Sequence, residues 1–185
     1  METGISVMEP RLGVIAYLAK KLGPDALGRT SLMKLLYLAQ ELKNVPLDYH
    51  FTLYSYGPFD SDVLADLGRA ESLEAVKSNV EYFSGGYRYK ISPGVQAAEL
   101  VGDSEFIQVH QPALDWVIEN FGQYSPSDLE LLSTIVFADQ QGKEPVSRDD
   151  LAQTVNSIKP KFAPAYVRDK VGHLASQGLL TNLLQ

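Results

Sequence analysis

Apolar residues recur at helical spacing along most of this chain and alternate with polar ones in a few short stretches. Leu12, Ile15, Ala16, Ala19 and Leu22 predict a first helix. It opens near Pro10, a residue suited to a first helical position, and Gly23-Pro24 ends it. Residues 1–9 read as a loose tail. Thr30 or Ser31 is placed to cap a second helix with the stripe Leu32, Leu35, Leu36, Ala39 and Leu42. Met33, Tyr37 and Leu38 broaden that stripe, which predicts burial over much of the circumference, with Lys34 and Lys43 off the main stripe. Asn44 and Pro46 stop this helix. Phe51, Leu53 and Ser55 alternate with Thr52, Tyr54 and Tyr56, which predicts a short strand.

Gly57-Pro58 breaks the strand, and Pro58 is placed to start a third helix with Asp60 and Asp62 at its positive end. Phe59, Val63, Leu64 and Leu67 form its expected apolar face. Two β-prone runs, 75–83 and 87–91, flank Ser84-Gly85-Gly86 and predict a hairpin. Ser92-Pro93 opens a short helix to about Val101. Beyond Gly102 the pattern is helical throughout: 112–121 with an earlier turn kinked at Pro112, then a helix opened by Ser125-Pro126 that is apolar on nearly every side. A helix begun by Ser147 and Asp150 is broken by Pro160, and a last one runs from Pro164 to a stop at Gly178.

The order helix, helix, strand, helix, hairpin is that of a winged-helix unit, with the hairpin as the wing. The expected fold class is α+β and mainly helical. A single domain over 1–185 would hold a winged-helix-like lobe at 10–101 and an all-helical lobe at 102–185.

Two motifs carry a resemblance. Lys34-Leu35-Leu36-Tyr37-Leu38-Ala39-Gln40 is followed by Tyr56-Gly57-Pro58-Phe59. Together they resemble the YwgA-like family and, more distantly, Panacea-domain proteins, which include antitoxins and adaptors. The run Ile158-Lys159-Pro160-Lys161-Phe162 and the close from Leu174 to Leu179 resemble the C-terminal half of the YwgA-like group. The resemblance implies a compact, prokaryotic, mainly helical interaction module, antitoxin-like or regulatory. It supplies no catalytic residues.

Charge sharpens this reading. The chain carries 16 basic and 23 acidic residues, a net charge of −7, which disfavours broad phosphate binding and makes any DNA contact depend on a local patch. The third helix, where a winged helix reads the major groove, offers Asp60, Ser61, Asp62, Asp66, Arg69 and Glu71. Four carboxylates against one guanidinium repel phosphates. The leading expectation is therefore a non-enzymatic module that binds a protein partner through Tyr54, Tyr56, Asp62, Asp66 and Arg69. The alternative is a winged-helix DNA-binding transcriptional regulator, dimeric in form. It would use Lys77, Arg88 and Lys90 of the wing with Lys159, Lys161, Arg168 and Lys170. Each basic group also has a simpler reading as a solvated face.

The absence of cysteine excludes disulfides, thiolate metal sites and a cysteine nucleophile. His50, His110 and His173 belong to no metal-spaced motif, and no phosphate-cradling glycine loop or nucleophile elbow is present. No cofactor and no metal is expected. Without a signal peptide or a roughly 20-residue apolar run, a cytoplasmic protein with no membrane partner is the default.

Overall fold

A computed structural model describes residues 8–23 and 25–184. The expected tail lies outside the described residues through position 7, as does Pro24. The fold is α+β and mainly helical, with eight helices and two separate antiparallel hairpins among the described residues. Two compact units form. The first comprises residues up to Phe51 and Asp60–Pro126; the second comprises Thr52–Phe59 and Ser127 onward. No described helix is long and apolar enough to cross a membrane.

In the first unit, α1 (Met8–Leu22) packs on α3 (Ser61–Ser72), α4 (Ala97–Gly102) and α5 (Glu105–Phe121). The second helix, α2 (Arg29–Lys43), is buried without interruption from Ser31 to Ala39, as its broad apolar stripe predicts. Lys34 lies inside that run at 2% exposure, so it is a core residue despite its place off the main stripe. The helix starts two or three residues before the expected cap: Gly28 is the N-cap, and Thr30 and Ser31 are helical. Asn44 closes it in the left-handed region at φ 52°. α5, which the apolar pattern assigns to the later lobe, packs against α1 and α2. It runs through Pro112 as one helix. Gln108 and Pro112 are both exposed, so the carbonyl that the proline deprives of its helical N–H partner lies on the solvent side of the helix.

α3 is held by a buried carboxylate. Asp66 is 0% exposed, and it accepts hydrogen bonds from Tyr49 (3.0 Å) and Arg69 (2.7 Å). Arg11 of α1 lies 3.5 Å from it. The Arg11 guanidinium also donates to the carbonyls of Leu47 and Asp48 and stacks 4.2 Å from the Tyr49 ring centre. One cluster thus ties α1, α3 and the 45–51 segment. Burial, followed by the negative charge of Asp66, holds the Tyr49 phenol far above its ordinary range. Asp60 is the N-cap of α3, accepting from Asp62 N at 2.9 Å and from His50 N at 2.6 Å.

The predicted hairpin forms as β3 (Val76–Phe83) and β4 (Gly86–Pro93), with Tyr82 opposite Tyr87 and Ser78 opposite Ile91. Ser92-Pro93 completes β4 rather than opening a helix, and α4 follows at Ala97.

The second unit begins with a correction. Gly57-Pro58-Phe59 does not start α3. It forms β2 (Gly57–Phe59), which pairs back on β1 (Thr52–Tyr54). Gly57 has φ +87°, and an added Cβ would lie 3.0 Å from Thr134 Oγ1 and 3.3 Å from the Glu130 carbonyl. Turn geometry and the surface of α6 (Pro126–Gln141) both demand glycine there. α6 is buried around nearly its whole circumference, as expected for a central helix. α7 (Arg148–Ile158) starts at the Ser147–Asp150 cap and packs on α8 (Pro164–Ser176). Gly178 adopts φ +68° just past the end of α8.

The Asp66 cluster yields a stability prediction. Asp66→Ala strands Arg11 and Tyr49 and should cost about 3 kcal/mol, the scale for breaking a buried charge pair. Tyr49→Phe removes one hydrogen bond and should cost about 1 kcal/mol. Urea unfolding of the two variants measures both.

Candidate functional site

The most exposed aromatic surface in the first unit is one face of the β3–β4 hairpin. Strand pleating puts Val80, Tyr82, Tyr87 and Tyr89 on the same side, since Val80 faces Tyr89 and Tyr82 faces Tyr87 across the pair. Tyr82 is 79% exposed and Tyr87 60% exposed, so these rings project into solvent. Their centroids lie 6.2 Å apart, and Tyr87 meets Tyr89 edge-on at 5.9 Å. At the foot of this row the Arg29 guanidinium stacks 3.5 Å from the Tyr89 ring centre. The result is a ladder of three tyrosines ending on an arginine.

The opposite face carries the charges. Arg88 binds Glu81 at 2.5 Å, and Lys90 binds Glu81 at 3.0 Å and Asp25 at 2.9 Å. Hydrogen bonds from Lys90 hold Asp25 below its ordinary value. Those from Lys90 and Arg88 do the same for Glu81, and Asp25 and Glu81 in turn raise Lys90. Lys77 is exposed on this face. The sequence intermingles basic and aromatic residues in this hairpin, but period-two pleating sorts them to opposite faces. The hairpin is anchored by Ile91 N donating to the Leu27 carbonyl at 2.8 Å and by the Lys90–Asp25 pair.

The sequence-derived partner site divides between the two units. Asp62 and Arg69 are exposed on α3, whereas Asp66 is fully buried and cannot touch a partner. Asp60 and Asp66 are consumed by the helix cap and the buried cluster, so the acidic face of α3 is thinner than its composition suggests. Tyr54 and Tyr56 lie in the second unit and are exposed at 63% and 70%. Tyr54 packs against Phe59 with ring centres 5.3 Å apart, and Lys161 lies 5.7 Å from the Tyr56 ring centre.

The second basic group, all in the second unit, is likewise rearranged. Lys159 is 3% exposed. It pairs with buried Glu130 at 2.8 Å and donates to the Ser55 carbonyl, so it is structural and unavailable to phosphate. Lys161 takes the other oxygen of Glu130 at 2.8 Å, Arg168 pairs with Asp149 at 3.2 Å, and Lys170 lies 4.0 Å from Asp169. Asn156 secures the intervening turn by donating to the Phe162 carbonyl at 2.8 Å. Among the described residues no group of three His, Asp or Glu side chains is arranged to hold a metal.

Reasoning from the sequence missed the tyrosine ladder as a distinct surface. Its signal was present in the alternation of Val80, Tyr82, Tyr87 and Tyr89 once the turn at Ser84-Gly85 sets the register. Arg29 had no such signal, because its stacking on Tyr89 spans 60 positions of the chain. No family model matches the chain, and no curated protein matches it.

Two predictions follow from these charge pairs. Lys159→Ala leaves Glu130 without its buried partner and should destabilise by about 3 kcal/mol in urea unfolding. Combining Lys159→Met with Glu130→Leu should recover most of that loss, because both charges leave together. The Asp25 and Glu81 carboxylates are held below their ordinary values of 3.8 and 4.5. Their contribution is complete above those values and is lost as pH falls through the depressed folded values. Amide exchange of β3 and β4 should therefore quicken on acidification below about pH 4, with little change between pH 5 and 8.

Proposed function

We propose that this protein is a non-enzymatic protein-interaction module, antitoxin-like or regulatory, that engages a protein partner through the tyrosine face of its β3–β4 hairpin. The observation that carries the reading is the Tyr82–Tyr87–Tyr89 row, with two of its rings mostly exposed. Tyrosines of this kind are frequent interface anchors, because they bring large contact area at little cost in side-chain freedom. The resemblance of the helix motif and the Tyr-Gly-Pro-Phe turn to YwgA-like and Panacea-domain proteins supports the same class of function. A winged-helix-like arrangement, with the wing turned to protein recognition, belongs to this proposal, as does a cytoplasmic location.

Charge pairing favours a protein partner over DNA. Arg88, Lys90, Lys161 and Arg168 already have carboxylate partners, and Lys159 is buried. A phosphate backbone would have to compete with each of those carboxylates.

The test is capture of the partner from the native host followed by measurement of its affinity for two variants. Tyr82→Ala with Tyr87→Ala should weaken binding at least about thirtyfold, the scale of an interface anchor, with no change in melting temperature. Tyr54→Ala with Tyr56→Ala should leave the affinity within about threefold. Undiminished binding by the hairpin variant would reject the reading. So would tight duplex-DNA binding that weakens steeply with salt.

A further inference from the structure

The N-terminus of α2 opens into a cleft of about 690 Å³ in the first unit, lined by the 25–31 segment, β4 and the 122–126 segment. This end of the helix is uncapped for a steric reason. The N-cap is Gly28, with extended backbone at φ −119° and no side chain to offer. A Cβ at Gly28 would stand 2.8 Å from the Tyr89 carbonyl oxygen, so the Ser, Thr, Asp or Asn that usually caps a helix is barred. The close passage of β4, fixed by Ile91 N to the Leu27 carbonyl, imposes this. The N–H groups of Arg29, Thr30 and Ser31 therefore have neither a carbonyl of their own helix nor a side-chain cap. No acidic residue lies in the first turn.

A second observation points to a ligand. Ser31 is 1% exposed and lines the cleft, yet its hydroxyl has no hydrogen-bond partner. Helical Cα–Cβ bonds tilt toward the N-terminus, so this hydroxyl is carried toward the open end of the helix. Buried hydroxyls are almost always satisfied, and one that is not requires an explanation. Arg29 adds to it. Its Nε is buried without a hydrogen-bond partner, and the guanidinium forms no ion pair among the described residues while Tyr89 holds its plane.

We infer that this cleft binds the phosphate group of a small phosphorylated molecule. Three backbone donors, the positive end of a 15-residue helix, the Ser31 hydroxyl and a preoriented guanidinium are the complement of a tetrahedral dianion. The cleft is far larger than one phosphate, and Tyr87 and Tyr89 line it where the organic part of the ligand would rest. Asp25, with its side chain 88% exposed, also lines the cleft, an arrangement that suits one phosphate better than a polyanionic backbone.

Amide NMR on the whole protein tests this with inorganic phosphate and phenyl phosphate as probes, against sodium chloride at matched ionic strength. Both phosphates should shift the Arg29, Thr30 and Ser31 amides saturably, and phenyl phosphate should bind the more tightly. Arg29→Gln and Ser31→Ala should each weaken binding about tenfold, the value of one hydrogen bond to a charged group. Ser31→Ala should keep or raise the melting temperature, since it deletes an unpartnered hydroxyl, and Arg29→Gln stands as the test if that variant does not fold. Absence of saturable shifts, equal shifts with chloride, or undiminished binding by Arg29→Gln would overturn the inference. Phenyl phosphate binding no better than inorganic phosphate would overturn the ester as the ligand. A short duplex that competes at equal phosphate concentration would overturn the small molecule.

Discussion

The first unit is organised by one buried negative charge. A carboxylate at 0% exposure persists only where opposite charge and hydrogen bonds replace water, and Asp66 obtains them from three directions. Arg11 comes from α1, Tyr49 from the segment after α2, and Arg69 from the next turn of α3. Because Arg11 also binds the Leu47 and Asp48 carbonyls, the requirement to neutralise one side chain sets where the 45–51 segment runs. The orientation of α3 against α1 follows from the same requirement.

A second constraint acts at the other end of α2. β4 passes so close to Gly28 that no side chain fits between them. That single approach has two consequences. It brings Tyr89 under Arg29, extending the row of rings on the hairpin to a cation. It also leaves a 15-residue helix with its first-turn donors and a buried serine hydroxyl open to a cleft. The aromatic surface and the proposed phosphate site are thus two products of one backbone contact.

The second unit shows why charge counted along a sequence is a poor guide to charge on a surface. Lys159 and Lys161 flank Pro160 and look like the core of a basic patch. Both are directed at Glu130, 29 and 31 positions away, and Lys159 also holds the turn of the β1–β2 hairpin through the Ser55 carbonyl. A lysine whose charge is matched inside the protein contributes to the architecture and little to the external field.

The sequence by itself determined the elements. Apolar periodicity located α2, α6 and α8, Ser147 marked the start of α7 and Gly178 the end of α8, and Ser84-Gly85-Gly86 located the β3–β4 hairpin, because these signals act within a few residues. It misplaced Gly57-Pro58-Phe59, where the pairing of β2 with β1 and the surface of α6 overrode the local preference of proline for a helix start. It grouped Asp66 with Tyr54, Tyr56, Asp62 and Arg69 as a partner face, and Lys159 with Lys161, Arg168 and Lys170 as a basic one, and could not tell that Asp66 and Lys159 are buried with their charges matched within the fold. Only the tertiary structure decided which charges are internal, which face of the hairpin is aromatic, and that the N-terminus of α2 is left without a cap. Each of these depends on groups tens of positions apart, where the partner's location, and not the residue's own chemistry, determines what the side chain does.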